Sequence, residues 1–434
     1  MKIGFVVSFF DFRNDVRRLI TEVLRNHPVV LFTSPSQVQL IKDHAPAGCE
    51  IRIIQERTNS LNGKFVRSRY RVARAIPASK QNFYLMESFK TGRLTGKKKI
   101  VAEAVTKLHR FLPNNYDYDA YLNDLRYSGE TELHDIDGFV CFTEIADDYF
   151  MARMVRESFP LLTYVYSWDH PCKHTRFSRR SDHLAWNEGI KEDLIELQYI
   201  PEDKIKITGA SQFCYIHEYL HQYREESSSM FDFKYVYFGC AIGIETLVPD
   251  EVDQIIKLAD TLQATRPDLK LVVRPYPPLK NWSLYDRLYA HPAVVMDDDF
   301  RRKDRAVSQS SLMEKFIKLD HAEAFFHLGT TLGLECCFLS TPSFILDTSS
   351  ASRDHVSVYN FTHQYQNDKY LMAAAPENHC KDWKQAASIL ADTSNPRYLR
   401  LNALVRKNNK IQSFQDLAIA LSGFLESQVK RRGE

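Results

Sequence analysis

One pattern constrains this chain more than any other: short runs of β-branched and aromatic residues alternate with longer stretches whose apolar residues recur at helical spacing. A strand followed by a helix, repeated, is the mark of βα units feeding a parallel sheet. In the first half, 3–8, 29–33, 50–54, 138–143, 162–167, 183–186 and 204–208 read as strands, and 15–25, 66–76, 97–112, 147–159 and 190–197 as helices. The alternation then restarts. Strands are expected at 234–239, 270–273, 293–296, 324–328 and 343–346, with helices at 249–264, 310–319 and 331–339. At 434 residues the chain exceeds what one core of about 150 to 200 residues serves, so two doubly wound α/β domains with a cleft between them are expected.

The polar stretch Arg224-Glu225-Glu226-Ser227-Ser228-Ser229 precedes the restart and marks a boundary. The expected division is a first domain at 1–215, a linker at 216–233, a second domain at 234–382, and a helical tail at 383–434 packing across the domains. Within the tail, 414–429 is amphipathic and ends in Lys430-Arg431-Arg432. The first reading of this helix is packing over a domain; peripheral membrane contact is the alternative. Charge narrows the partners: 57 basic and 55 acidic side chains leave a net +2, too balanced for a protein built to neutralise nucleic-acid phosphates. The eight cysteines are scattered without a CxxC pair and read as reduced core residues, which points to the cytoplasm. The apolar run at 3–8 is too short for a signal segment, and no stretch approaches the roughly 20 apolar residues of a spanning helix, so membrane contact would be peripheral, on the inner face.

In open parallel sheets, ligands bind beyond the carboxyl ends of the strands, where helix N-termini bring unpaired N–H groups together. In His327-Leu328-Gly329-Thr330-Thr331-Leu332-Gly333-Leu334-Glu335 a strand passes through Gly329 into a helix whose first turn holds two hydroxyls, which suits a diphosphate. Glu335 follows on the same side of that helix, where a carboxylate can accept ribose hydroxyls; Thr330 as a plain N-cap and Glu335 as a solvated carboxylate are the structural alternatives. In Val273-Arg274-Pro275-Tyr276-Pro277-Pro278 the prolines end a strand and leave Arg274 at its tip, where a planar donor fork fits phosphate oxygens. Its alternative is a structural pair with a carboxylate. Gly239, at the end of the 234–239 strand, and Tyr276 complete the donor-side set.

On the first domain, Tyr166-Ser167-Trp168-Asp169-His170-Pro171-Cys172-Lys173 follows a strand directly. Asp169 or His170 could act as general base on an acceptor hydroxyl, with Trp168, Lys173 and His174 contacting the acceptor. Asp11, in the exit loop of the first strand, rivals them, while Asp15 reads as a helix cap. Metal chemistry is not expected: His170, His174 and His183 lack ligand spacing, and Asp297-Asp298-Asp299 reads as a solvated turn. The basic clusters at 301–305 and at Arg176, Arg179 and Arg180 read as solvated faces. No GxxxxGK[ST], GxSxG or GxGxxG motif stands in a convincing context.

Taken together, these pieces resemble bacterial GT-B glycosyltransferases of surface polysaccharide synthesis, the relatives of capsule and lipopolysaccharide sugar transferases. The likeness lies in the Trp168-Asp169-His170 turn, in the 183–186 strand with its following helix, and in Pro201-Glu202-Asp203-Lys204-Ile205-Lys206-Ile207-Thr208-Gly209-Ala210, similar to the segment that closes the N-terminal domain of such enzymes. Val273-Arg274-Pro275-Tyr276-Pro277 resembles their R-x-H-P strand end, with the departure that Tyr276 stands where relatives often have histidine. Gly329 to Glu335 resembles their phosphate and ribose contact. The resemblance implies two tandem Rossmann-like domains, with the donor on the second, the acceptor on the first, and closure about a hinge near 212–233. It also implies transfer without a metal ion or other cofactor.

The expected function is therefore transfer of a sugar from a nucleotide sugar to the hydroxyl of a glycan or lipid-linked acceptor. Three alternatives share the architecture: a CDP-glycerol-type polyol-phosphate transferase, a nucleotide-sugar 2-epimerase, and a nucleotide-sugar-binding protein without catalysis.

Overall fold

The β-branched and aromatic runs of the first half become buried strands: β1 (Ile3–Val6), β2 (Val29–Thr33), β3 (Glu50–Ile53), β6 (Gly138–Phe142), β7 (Leu161–Tyr164), β8 (Asp182–Ala185) and β9 (Ile205–Ile207), with a two-residue antiparallel ribbon of β4 (Arg57–Thr58) and β5 (Tyr127–Ser128) beside them. A computed structural model of the chain describes residues 1–7, 14–58, 60–74, 116–142, 147–167, 171, 177–277, 279–298, 309–348 and 373–433, together with 96, 97, 100 and 104. The helix expected at 97–112 thus lies largely outside the described residues. Two units emerge, one formed by Met1–Cys214 with Lys410–Glu434 and the other by Tyr215–Asn409.

The first unit is a seven-stranded parallel sheet in the order β3-β2-β1-β6-β7-β8-β9. Ile3 lies opposite Val29 on one side and Gly138 on the other, so succession along the sheet reverses between β1 and β6. Its helices begin where side chains satisfy their first N–H groups. Asp147 accepts from Tyr149 and Phe150, and Asn187 from Ile190. The helix Phe414–Gly433 packs against the helix Asn14–Leu24 and over β6 and β7. It buries Phe414, Leu417, Leu421 and Leu425, each worth about 1.5–3 kcal/mol when fully removed from water. Of the two readings of this tail helix, packing accounts for its apolar stripe.

The second unit is a six-stranded parallel sheet built from β10 (Tyr235–Gly239), β11 (Lys270–Arg274), β12 (Val294–Met296), β13 (Phe325–His327), β14 (Ser343–Leu346) and β15 (His379–Cys380), in the order β12-β11-β10-β13-β14-β15. Helices Val248–Thr265, Gln309–Asp320, Thr331–Cys336, Trp383–Ala391 and Arg400–Asn408 surround it. The polar stretch at 216–233 begins as helix: Ser211–Glu218 runs on through Tyr219–Tyr223 and Arg224–Glu226. Tyr219 is fully buried and donates its hydroxyl to Asp320 at 3.1 Å, and Arg224 Nε lies 2.9 Å from the same carboxylate. Among the described residues, no helix is long and apolar enough to cross a membrane.

Candidate functional site

Succession in the second sheet reverses between β10 and β13, and the carboxyl ends of the strands at such a switch point are where ligands bind in doubly wound folds. Parallel pairing sets Gly239 directly opposite Arg274 on one side and His327 on the other. A Cβ on Gly239 would stand 2.8 Å from the Phe325 ring and 3.0 Å from Leu332, so the glycine also lets this edge close over its neighbours.

Arg274 leans on a buried carboxylate. Its Nη1 donates to Asp297 Oδ2 at 3.2 Å, the Tyr237 hydroxyl donates to the same oxygen, and Lys318 Nζ donates to Oδ1 at 2.7 Å. Asp297 therefore corrects a sequence reading: it is no solvated turn residue but a fully enclosed anchor. The turn looked solvated because three aspartates stand in a row, while the groups that neutralise the first of them come from β10, β11 and the helix Gln309–Asp320. Burial alone would raise the Asp297 carboxyl, but Arg274, Lys318 and Tyr237 outweigh it and hold it below the usual carboxylate range. The structural pairing of Arg274 is thus present. The cluster gathers Arg274, Lys318 and Asp297 in a water-poor place where charge interactions are strong.

The Gly329 turn is built around an imidazole. His327 Nδ1 accepts the N–H of Gly329 at 2.9 Å and of Thr330 at 3.3 Å, which makes Nδ1 the unprotonated nitrogen. Gly329 supplies the left-handed backbone, φ 107°, that turns the chain into the helix Thr331–Cys336. Thr330 caps that helix by accepting the Leu332 N–H at 3.4 Å, and the Gly333 N–H goes to the Thr330 carbonyl. Several donors expected to face a diphosphate are therefore engaged within the protein; Thr330 and Thr331 remain partly exposed. Nor is Glu335 solvated: it is buried and receives Lys315 Nζ at 2.5 Å. Tyr276 donates its backbone N–H to the Tyr285 hydroxyl at 3.3 Å, and its ring lies over Gly243 in the β10 exit loop.

That loop hangs on Glu251, a completely buried carboxyl in the first turn of Val248–Thr265 whose Oε1 accepts the Ala241 N–H at 2.7 Å. Burial pushes its pKa up to about 8, against the pull of the Ala241 and Ile242 N–H groups. Sequence reasoning missed Glu251, His327, Lys315, Lys318 and Tyr237. The only local signal was chemical, since each is a polar residue within an otherwise apolar strand or helix face.

On the first unit, Asp11, Trp168, Asp169, His170, Lys173 and His174 all lie outside the described residues. Their surroundings are described. Asp15, read as a helix cap, is buried and accepts the Tyr166 hydroxyl at 3.1 Å and the Ser211 hydroxyl at 2.5 Å; the Ser211 N–H in turn donates to the Tyr164 hydroxyl at 2.6 Å. Among the described residues, no group of three or more His, Cys, Asp or Glu is gathered to hold a metal ion.

No protein-family model matches the sequence, and no curated protein does. Solved structures match its fold over nearly the whole length. The UDP-GlcNAc 2-epimerase of Neisseria meningitidis, bound to UDP-GlcNAc, aligns with TM-score 0.51 at 11% identity, covering 98% of this chain and 100% of its own. The S. aureus MnaA–UDP structure aligns with TM-score 0.53 at 10% identity over 99% and 97%. The wall teichoic acid polymerase TagF aligns with TM-score 0.51 at 10% identity over 100% and 89%. The chain has the GT-B fold. In this GT-B chain, the edge Arg274–Gly239–His327 belongs to the second sheet. The first sheet of the GT-B pair offers the Asp15–Tyr166–Ser211 network at the carboxyl ends of β1 and β7.

Proposed function

We propose that this protein is a glycosyltransferase that moves a sugar from a nucleotide-sugar donor to a hydroxyl of a glycan or glycolipid acceptor without a metal ion. The observation that carries the reading is Arg274, held by Asp297 at the carboxyl end of β11 beside the switch point of the second sheet. Negative charge develops on the departing nucleotide diphosphate in such a reaction, and a preorganised cation in a water-poor site stabilises it. Structures of the same fold with UDP-GlcNAc and with UDP bound are consistent with a nucleotide-linked ligand. In this reading Asp297 aims Arg274 at the diphosphate. Gly239, Tyr276, Gly329, Thr330 and Thr331 shape the donor pocket, and Glu335 exchanges part of its Lys315 contact for ribose hydroxyls. Asp169, His170 or Asp11 serves as base, and Trp168, Lys173 and His174 meet the acceptor.

Calorimetry and thermal shift with nucleoside diphosphates, nucleotide sugars and CDP-glycerol test the reading, since a ligand of the native state raises stability with concentration. A nucleotide sugar should bind, and Arg274→Ala should weaken it roughly 10- to 100-fold, the loss of about 1.5–3 kcal/mol for one charged hydrogen bond. Unchanged affinity would remove the donor site from this edge. Preference for CDP-glycerol would instead indicate polyol-phosphate transfer, turnover of the nucleotide sugar without acceptor would indicate 2-epimerisation, and binding without any turnover a non-catalytic role.

A further inference from the structure

The exit loop of β10 is shaped by a carboxyl that the proposed reaction does not use. Gly239 ends β10 opposite Arg274, and the chain passes through Cys240, Ala241 and Ile242 to Gly243. In a loop at the carboxyl edge of a parallel sheet, backbone N–H groups ordinarily face an incoming anion. Here they turn inward. Glu251, completely buried in the first turn of Val248–Thr265, accepts the Ala241 N–H at 2.7 Å, and the Ile242 N–H also acts on its carboxyl. A Cβ on Gly243 would stand 2.5 Å from the Tyr276 ring, so the exit loops of β10 and β11 press on one another. Tyr285 joins them a second time: its hydroxyl accepts the Tyr276 N–H at 3.3 Å and bonds to the Cys240 thiol. Glu251 is thus connected, through Ala241, Cys240 and Tyr285, to the backbone that follows both Gly239 and Arg274.

The groups that face Glu251 do not neutralise it. Cys240 on the loop and Tyr285 on the turn Trp282–Tyr285 lie beside it, and burial holds both in their neutral forms. Its own helix adds Asp250 and Asp253, the latter paired with Arg287 at 2.6 Å. Burial and the two N–H groups set its ionisation, and among the described residues no side-chain cation offsets a charge on it. Asp297 differs, since its charge is met by Arg274 and Lys318. An ionised Glu251 would leave a negative charge under the donor loop in a water-poor place, where it opposes a diphosphate strongly. A protonated Glu251 keeps the Ala241 bond through its carbonyl oxygen and removes that charge.

We propose that Glu251 is a positioning residue for the donor, acting through the β10 exit loop: its protonated form shapes the loop for a nucleotide-linked diphosphate, and its ionised form weakens that binding. The inference rests on the donor site proposed above. A donor that favours the protonated form must, by linkage, take up protons when it binds where Glu251 is partly ionised, and a pKa of about 8 puts that range within reach. A panel of UDP-, GDP-, ADP- and TDP-sugars is the probe, because their diphosphate diesters hold one charge throughout. Affinity of the full-length protein for the member that binds should fall about tenfold between about pH 6 and about pH 9. Calorimetry near the middle of that range, in buffers of different ionisation enthalpy, should show net proton uptake, a measurement that needs no variant. Glu251→Gln, neutral at every pH, should keep the low-pH affinity throughout, with its melting temperature showing it folded. Wild-type affinity independent of pH, binding without proton uptake, or a fall with pH that persists in Glu251→Gln overturns this inference while the donor site stands. Binding of no panel member at either pH overturns the donor site and the inference with it.

Discussion

Asp297 and Glu251 are both buried carboxyls of the second unit, and their surroundings give them opposite characters. Asp297 faces two cations and stays ionised, while Glu251 accepts backbone N–H groups beside Cys240 and Tyr285, so burial favours its protonated form. With a folded-state pKa near 8 against an ordinary 4.5, Glu251 binds its proton more tightly in the native state than in the unfolded chain. Its contribution to stability is complete below the lower value and is lost as pH rises toward the higher one. Denaturant unfolding of the wild type should therefore show a midpoint that falls between about pH 5 and pH 8, and Glu251→Gln should flatten that slope. Identical pH profiles would contradict this account. Neither residue's state was legible in the sequence, because the partners of Asp297 stand at 237, 274 and 318. Arg274 was legible, because Pro275 and Pro277 announce locally where its strand must stop.

At the scale of elements, the strands declared themselves wherever both sheet faces are covered. β2, β6 and β10 are buried along their whole length, so their runs stay apolar except for Thr33 at the end of β2. The two-residue strands β4, β5 and β15 escaped because two residues carry no period. Ser211–Glu218 with its continuation escaped because Arg224 to Ser229 look solvated, although Tyr219 just before them is a core residue. The short helix Thr331–Cys336 was legible from its glycine and threonines, but not how closely it presses on β13. A Cβ at Gly333 would lie 2.3 Å from His327 Nε2, and the imidazole cannot retreat without giving up the Gly329 and Thr330 N–H groups. Gly333→Ala should therefore cost about 1–3 kcal/mol, measured as a lower denaturation midpoint; a neutral effect would mean that the helix shifts freely on the sheet.

For the whole molecule, length and the restart of the βα pattern were enough to forecast two α/β domains, since no single sheet accommodates so many strands in compact form. What they lacked was any local mark of which sheet a terminal amphipathic helix will cover. The second unit is one contiguous stretch, Tyr215–Asn409, with its own six-stranded sheet, whereas the first is assembled from two stretches. Residues 215–409 expressed alone should accordingly unfold in one cooperative transition by circular dichroism, while 1–214, lacking the cover of Phe414–Gly433, should melt broadly. A broad melt for 215–409 would show that its core depends on the rest of the chain.

The division also orders events on the ribosome. The helix Phe414–Gly433 belongs to the sheet that is synthesised first, yet it emerges only after all of 215–409 has been made, a delay of about 10–40 s at about 5–20 residues per second. During that interval the nascent chain holds an unsealed first sheet while the second unit completes itself. The apolar surface awaiting Leu417, Leu421 and Leu425 is then the place where a chaperone would find this protein.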